Sequence, residues 1–152
     1  MKVYRLTKKK YSKILSGKGA SYSNNRWNSK GTEIIYTAES RALALAEMAV
    51  HLSVSALPDN YAMMEIEIPD HFPVLTLESK DLPDGWNSFP HLSNSQEIGD
   101  MFIASSTNVV LKVPSAVVHG DFNFLLNPHH HSFHKIKIIQ VTDFPIDTRL
   151  IN

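Results

Sequence analysis

Between Leu15 and His51 the chain runs from a polar loop rich in Gly, Ser and Asn, through a short strand with Tyr36 near its end, into an almost wholly apolar helix. That helix, Arg41 to Leu52, most constrains the fold. Ala42, Leu43, Leu45, Ala46, Met48, Ala49 and Val50 leave little polar surface, so the helix is predicted to be buried on most sides. Ser40 is placed to cap its N-terminus. One acid, Glu47, stands within it. A buried, unpaired carboxylate is costly or takes up a proton. Glu47 therefore either lines a cavity or meets a donor, and a site and a purely structural partner both satisfy that.

The rest of the chain is read around this element. Alternation over Lys2 to Leu6 predicts a first strand. Thr7 is a candidate cap for a helix over Lys8 to Leu15 that Gly17 would end, with its lysines on a solvated face. Gly17 to Thr32 reads as loop and Glu33 to Thr37 as strand. A strand closed by Pro69 follows, then one over Val74 to Leu77. Leu82 to Pro90 reads as a surface loop, in which Trp86 and Phe89 are either a partner surface or, the reading preferred, loop anchors. Asn94 is placed to cap a helix from Ser95 to about Ala104. Strands are expected at Val109 to Val113 (an edge strand, or one ended by Pro114), Ala116 to Val118, Phe122 to Leu126 and Ile136 to Val141. Most connections are too short for crossover helices. The expectation is one α+β domain over residues 1–152, with a mixed or antiparallel β core and a few helices.

Composition narrows the function. Lysine plus arginine equals aspartate plus glutamate at 15 each, which argues against direct nucleic-acid binding. No cysteine is present, so disulfides and thiolate metal sites are excluded. No apolar run reaches the ~20 residues of a membrane span, and the first residues lack a signal-peptide core. A cytoplasmic protein is expected.

The opening stretch also carries chemistry. Arg26, in a loop of small polar residues, can meet phosphate or carboxylate in a bidentate geometry, or simply stack on Trp27. Tyr36 offers a ring face and a hydroxyl, or is a half-buried strand tyrosine. Gly17 and Gly19 do not make a dinucleotide-binding fingerprint. His129, His130, His131 and His134 lack the convergence a metal site needs, and none is assigned.

The ordered segments Ser16-Gly-Lys-Gly-Ala20, Arg26-Trp-Asn-Ser-Lys-Gly-Thr32, Ile35-Tyr-Thr-Ala-Glu-Ser40 and Ala42-Leu-Ala-Leu-Ala-Glu47 resemble the RES domain family. Val113-Pro-Ser115 and Asn123-Phe-Leu-Leu-Asn-Pro-His-His130 extend the resemblance over nearly the whole chain. Asn24-Asn25 departs from it, standing where the family often has glycines, as does the histidine-rich stretch His129 to His131. The resemblance implies an ADP-ribosyltransferase-like fold and a toxin of a bacterial toxin–antitoxin pair. It implies a chain that consumes NAD as substrate, with no cofactor. The implied partner is an Xre-like antitoxin that covers the active site and supplies the only link to DNA, in a complex where the toxin can also pair with itself. Carried over by position, the catalytic set is Arg26, Tyr36, Glu47 and Ser115, with Arg5, Arg26, Tyr36 and Ser115 on the nucleotide.

In that setting Glu47 would stabilise positive charge on the ribose as nicotinamide leaves. Arg26 and Arg5 would neutralise the pyrophosphate. Tyr36 would stack on nicotinamide or ribose, and Ser115 would offer its hydroxyl to the ribose or the amide. No Gly-x-Ser-x-Gly elbow surrounds Ser115, so it is not read as a nucleophile. Transfer of ADP-ribose to one specific protein, and a binding module without catalysis, are the alternatives.

Overall fold

The computed structural model describes residues 1–52 and 60–151. Strand β1 (Lys2–Lys8) is the pivot, because it alternates and both faces of the sheet need it. Val3 packs with Met64 and Ile66 on one face, while Leu6 packs with Met63, Leu43 and Ala44 on the other. The remaining elements are α1 (Lys18–Ser21), β2 (Ile35–Ala38), α2 (Arg41–Ala49), β3 (Tyr61–Glu67), β4 (Val74–Thr76), α3 (Ser93–Ser105), β5 (Val110–Pro114), β6 (Phe122–Leu126) and β7 (Lys137–Asp143). All seven strands join one sheet in the order β4-β5-β6-β2-β1-β3-β7. Only β4 and β5 run parallel, so the sheet is mixed and mostly antiparallel, as the short connections imply. The fold class is α+β.

Two features of this sheet place the site. The longer helices lie on the same face, α2 over β1 and β2, and α3 over β5 and β6, where Phe102 meets Leu111 and Leu125. The centre of the sheet is weakly stitched. β1 pairs along its full length with β3, from Lys2 opposite Glu67 to Lys8 opposite Tyr61, but meets β2 at a single pair, Tyr4 with Ala38. The sheet is thus two halves joined at one rung, with Tyr36 beside the seam.

Several expectations are corrected. No helix covers 8–15. Thr7 and Lys8 instead extend β1 opposite Ala62 and Tyr61, and only a 3-10 turn follows at Lys9–Tyr11. A long ladder outweighs the local preference of a lysine-rich run for helix. Gly17 ends no helix. A Cβ there would stand 2.8 Å from the Ile34 nitrogen, so the glycine lets two backbone segments cross. Ala116 to Val118 is a turn rather than a strand. β5 lies inside the sheet and ends on Pro114. Asn94 does not cap α3. It lies inside the helix and its amide donates to the Asp84 carbonyl at 3.2 Å. The largest correction concerns α2: only Leu43 and Ala44 are buried, and the residues from Leu45 to Ala49 are half-buried. Its alanines serve helix propensity more than burial. Ser40 does cap it, accepting from the Leu43 N–H at 3.0 Å. Among the described residues no helix is long and apolar enough to cross a membrane.

Candidate active site

Glu47 lies one turn on from Leu43 and Ala44, the residues α2 presents to the sheet, so it follows the same stripe inward. There it meets the far half of the chain. The Ser115 hydroxyl donates to Glu47 Oε1 at 2.7 Å. Ser115 Oγ itself accepts from the Val117 N–H at 3.1 Å and the Val118 N–H at 3.0 Å, closing the turn after β5. Ser115 is only 6% exposed. A serine hydroxyl has one proton and two acceptor positions. The serine proton is donated to Glu47 and both acceptor positions are filled, so in this arrangement none is spare for a ribose hydroxyl.

Arg26 comes from the loop after α1. Its Nη1 donates to the carbonyls of Trp86 at 2.6 Å and Ser88 at 3.1 Å. Burial lowers its pKa, while the negative charge of Glu47 and the Tyr36 hydroxyl act in the opposite direction. Arg26 therefore sits within electrostatic reach of Glu47 without an ion-pair contact to it. The alternative reading, Arg26 stacked on Trp27, is not what forms: Trp27 is 2% exposed and tilts against Trp86 with ring centroids 6.0 Å apart.

Tyr36 ties the loop to the sheet. Its hydroxyl donates to Asn28 Oδ1 at 2.7 Å and accepts from the Trp27 N–H at 3.1 Å. Burial pushes its pKa well above the usual tyrosine value, and the Asp100 charge adds to that. The Trp27 N–H and Arg26 pull the other way. The hydroxyl stays neutral and serves the loop, which leaves the ring as the part a ligand can use. Arg5 approaches the seam from the face of Val3, and its Nη1 donates to the Tyr36 carbonyl at 3.3 Å. Burial lowers its pKa as well.

Glu47 and Ser115 therefore touch, Arg26 lies within electrostatic reach of both Glu47 and Tyr36, and Arg5 reaches the group through the Tyr36 main chain. Beside Ser115 is a cavity of about 380 Å³ whose wall includes Trp86, Asn87, Ser115, His119, Asp121 and Phe122. Arg26, Tyr36 and Glu47 stand outside that wall.

Sequence reasoning missed the supports of the Arg26 loop, which come from α3. Ser95 Oγ donates to the Arg26 carbonyl at 2.6 Å, and Asp100 accepts from the Ser29 N–H at 3.0 Å and the Ser29 hydroxyl at 2.6 Å. At Gly99 a Cβ would lie 1.6 Å from the Trp27 carbonyl oxygen. The one legible signal was the glycine itself, since glycine inside a helix is unfavourable without a packing reason. Trp86, at 8% exposed, is the loop anchor expected of it. Phe89 is not, for it is 89% exposed. The histidines make separate contacts: His129 meets Glu33 at 2.9 Å, His130 Nδ1 accepts from the Ser132 N–H at 3.0 Å, and His131 stacks on His130.

The RES domain family profile matches residues 2–147. A protein of Photorhabdus laumondii named Toxin Res is 37% identical over 99% of this chain and 97% of its own length. Another Toxin Res, from Yersinia enterocolitica, is 35% identical over 99% of both chains. A Sphingobium protein named Prs ADP-ribosylating toxin is 38% identical, covering 90% of this chain and 86% of its own. Among solved structures, a chain of the Mycobacterium tuberculosis MbcT–MbcA toxin–antitoxin complex matches with a TM-score of 0.77. It covers 94% of this chain and 83% of the other at 20% identity, a likeness of fold. The chain belongs to the RES domain family.

Proposed function

We propose that this protein is the toxin of a toxin–antitoxin pair and that it consumes NAD by breaking the nicotinamide–ribose bond. The observation that carries the reading is the Ser115–Glu47 hydrogen bond of 2.7 Å with Arg26 in electrostatic reach. It makes a half-buried carboxylate, held in one orientation, beside a cation with N–H groups to spare.

The chemistry suits that arrangement. Nicotinamide leaves as a neutral base and takes the bonding electrons, so the ribose carbon becomes positive. Glu47 stabilises that charge, and a fixed carboxylate does so without reorganising. Arg26, with Arg5 across the seam, faces the pyrophosphate, where a guanidinium offers a fork of donors. The Tyr36 ring supplies a flat apolar surface for nicotinamide or ribose. Water then completes hydrolysis to ADP-ribose and a proton, or inorganic phosphate completes phosphorolysis. NAD is the substrate, and a cytoplasmic setting follows from it.

Transfer to a protein is the second reading, favoured by a relative named as an ADP-ribosylating toxin at 38% identity. An Xre-like antitoxin lying over the site is the partner we infer, in keeping with a structural neighbour that is a toxin–antitoxin complex. The test is purified protein with NAD, with and without phosphate, followed by chromatography of the products. Nicotinamide release that falls steeply in Glu47→Ala and Arg26→Ala, with both variants folded, supports the reading. Intact NAD, or a folded Glu47→Ala variant with full turnover, refutes it.

A further inference from the structure

We infer that one face of α3, centred on Ser95, is a positioning device for Arg26 and so sets the affinity for the pyrophosphate of the substrate; this rests on the reading of NAD as substrate. Ser95 and Gly99 lie one turn apart on the buried face of α3, and Asp100 stands beside Gly99 at the edge of that face. Each meets a different main-chain group of the segment Arg26 to Ser29. Ser95 is 0% exposed, and its hydroxyl lies 2.6 Å from the Arg26 carbonyl but 3.3 Å from that of Leu92. A hydroxyl has one proton, so the shorter contact takes it. Gly99 clears the space filled by the Trp27 carbonyl. Asp100 holds the N–H and hydroxyl of Ser29. From the sheet side the Tyr36 hydroxyl takes the Trp27 N–H.

The polar main-chain groups around Arg26 are therefore tied from two sides, while its side chain keeps donors free. Only Nη1 of the guanidinium is hydrogen-bonded among the described residues, to the Trp86 and Ser88 carbonyls. A long side chain can aim its fork only from a fixed Cα, and small errors in aim weaken a bidentate contact. Ser95 and Asp100 touch no reacting group in this scheme. They act through Arg26.

The test compares wild type with Ser95→Ala and Asp100→Ala in steady-state nicotinamide release, with inhibition by ADP-ribose and by nicotinamide measured in parallel and thermal melts confirming the fold. ADP-ribose carries the pyrophosphate and nicotinamide does not. In Ser95→Ala we expect KM for NAD and the ADP-ribose inhibition constant to rise together by about tenfold, kcat to stay within about twofold, and nicotinamide inhibition to stay unchanged. Asp100→Ala should follow the same pattern and carries the test if Ser95→Ala does not fold. Unchanged KM in the folded variants, or a loss falling equally on nicotinamide inhibition, overturns the positioning role. Wild-type protein that leaves NAD intact overturns the reading beneath it.

Discussion

Replacing Ser115 by alanine tests whether that residue works through Glu47 or directly on the substrate. The hydroxyl donates to a carboxylate at 2.7 Å. Hydrogen bonds to charged groups contribute about 1.5–3 kcal/mol. Without it Glu47 is free to rotate, and the Val117 and Val118 N–H groups lose their acceptor. If the orienting energy is expressed in the transition state, kcat/KM falls by about 10- to 100-fold. The orphaned N–H groups add about 1 kcal/mol or more of instability, which lowers the melting temperature by about 2–4 °C per kcal/mol for a chain of this size. The informative measurement is a double-mutant cycle on nicotinamide release with Ser115→Ala, Glu47→Ala and the pair. A serine acting only through Glu47 has nothing left to orient once the acid is gone, so the double variant should be no slower than Glu47→Ala alone. Losses that multiply would refute this reasoning and place the Ser115 hydroxyl on the substrate in its own right.

Arg26→Lys should keep the fold and raise KM for NAD by about tenfold or more, because an ammonium cannot hold the Trp86 and Ser88 carbonyls and still present a planar fork; steady-state kinetics checks it. Gly99→Ala should destabilise the protein by about 1–3 kcal/mol or more, reversing the usual gain from alanine in a helix, because its Cβ meets the Trp27 carbonyl; thermal denaturation decides the sign. Tyr36 gives a pH signature. Its folded pKa is raised by burial from an ordinary value of 10.0, so the unfolded chain ionises first. The stability this contributes is fully present below about pH 10 and is lost as the pH rises towards the folded value. Denaturant melts above pH 10 should show a shallower decline in Tyr36→Phe than in wild type, and parallel declines would exclude Tyr36 as the source.

What could be read from the sequence was local. The lone acid of α2, its Ser40 cap, the strand at Phe122 to Leu126 and the mixed sheet follow from patterning within short windows. The misses share a cause, which is distance along the chain. Thr7 and Lys8 became strand because β3 waits some fifty residues on, which no local propensity reports. Glu47 was expected to be buried because alanine reads as apolar, yet it is half-buried and partnered by a serine 68 residues away. Ala116 to Val118 was read as a strand, and it is instead a turn whose Val117 and Val118 N–H groups fill both acceptor positions of the Ser115 hydroxyl. The supports on α3 were invisible for the same reason. Ser95 and Asp100 look like ordinary polar residues of an exposed helix until the Arg26 loop is laid against them.

The bond between Glu47 and Ser115 also sets a clock. A ribosome adds roughly 5–20 residues per second, so Ser115 follows Glu47 into existence by roughly 3 to 14 seconds. During that interval the nascent chain already carries Arg26, Tyr36 and Glu47, but nothing holds the carboxylate. β6, which completes the pairing of β2, is later still, and β7 closes the far edge last. Until Ser115 is made, the chain lacks the group that orients Glu47. The carboxylate proposed to act on NAD is thus oriented only after Ser115 and the turn behind it have been made.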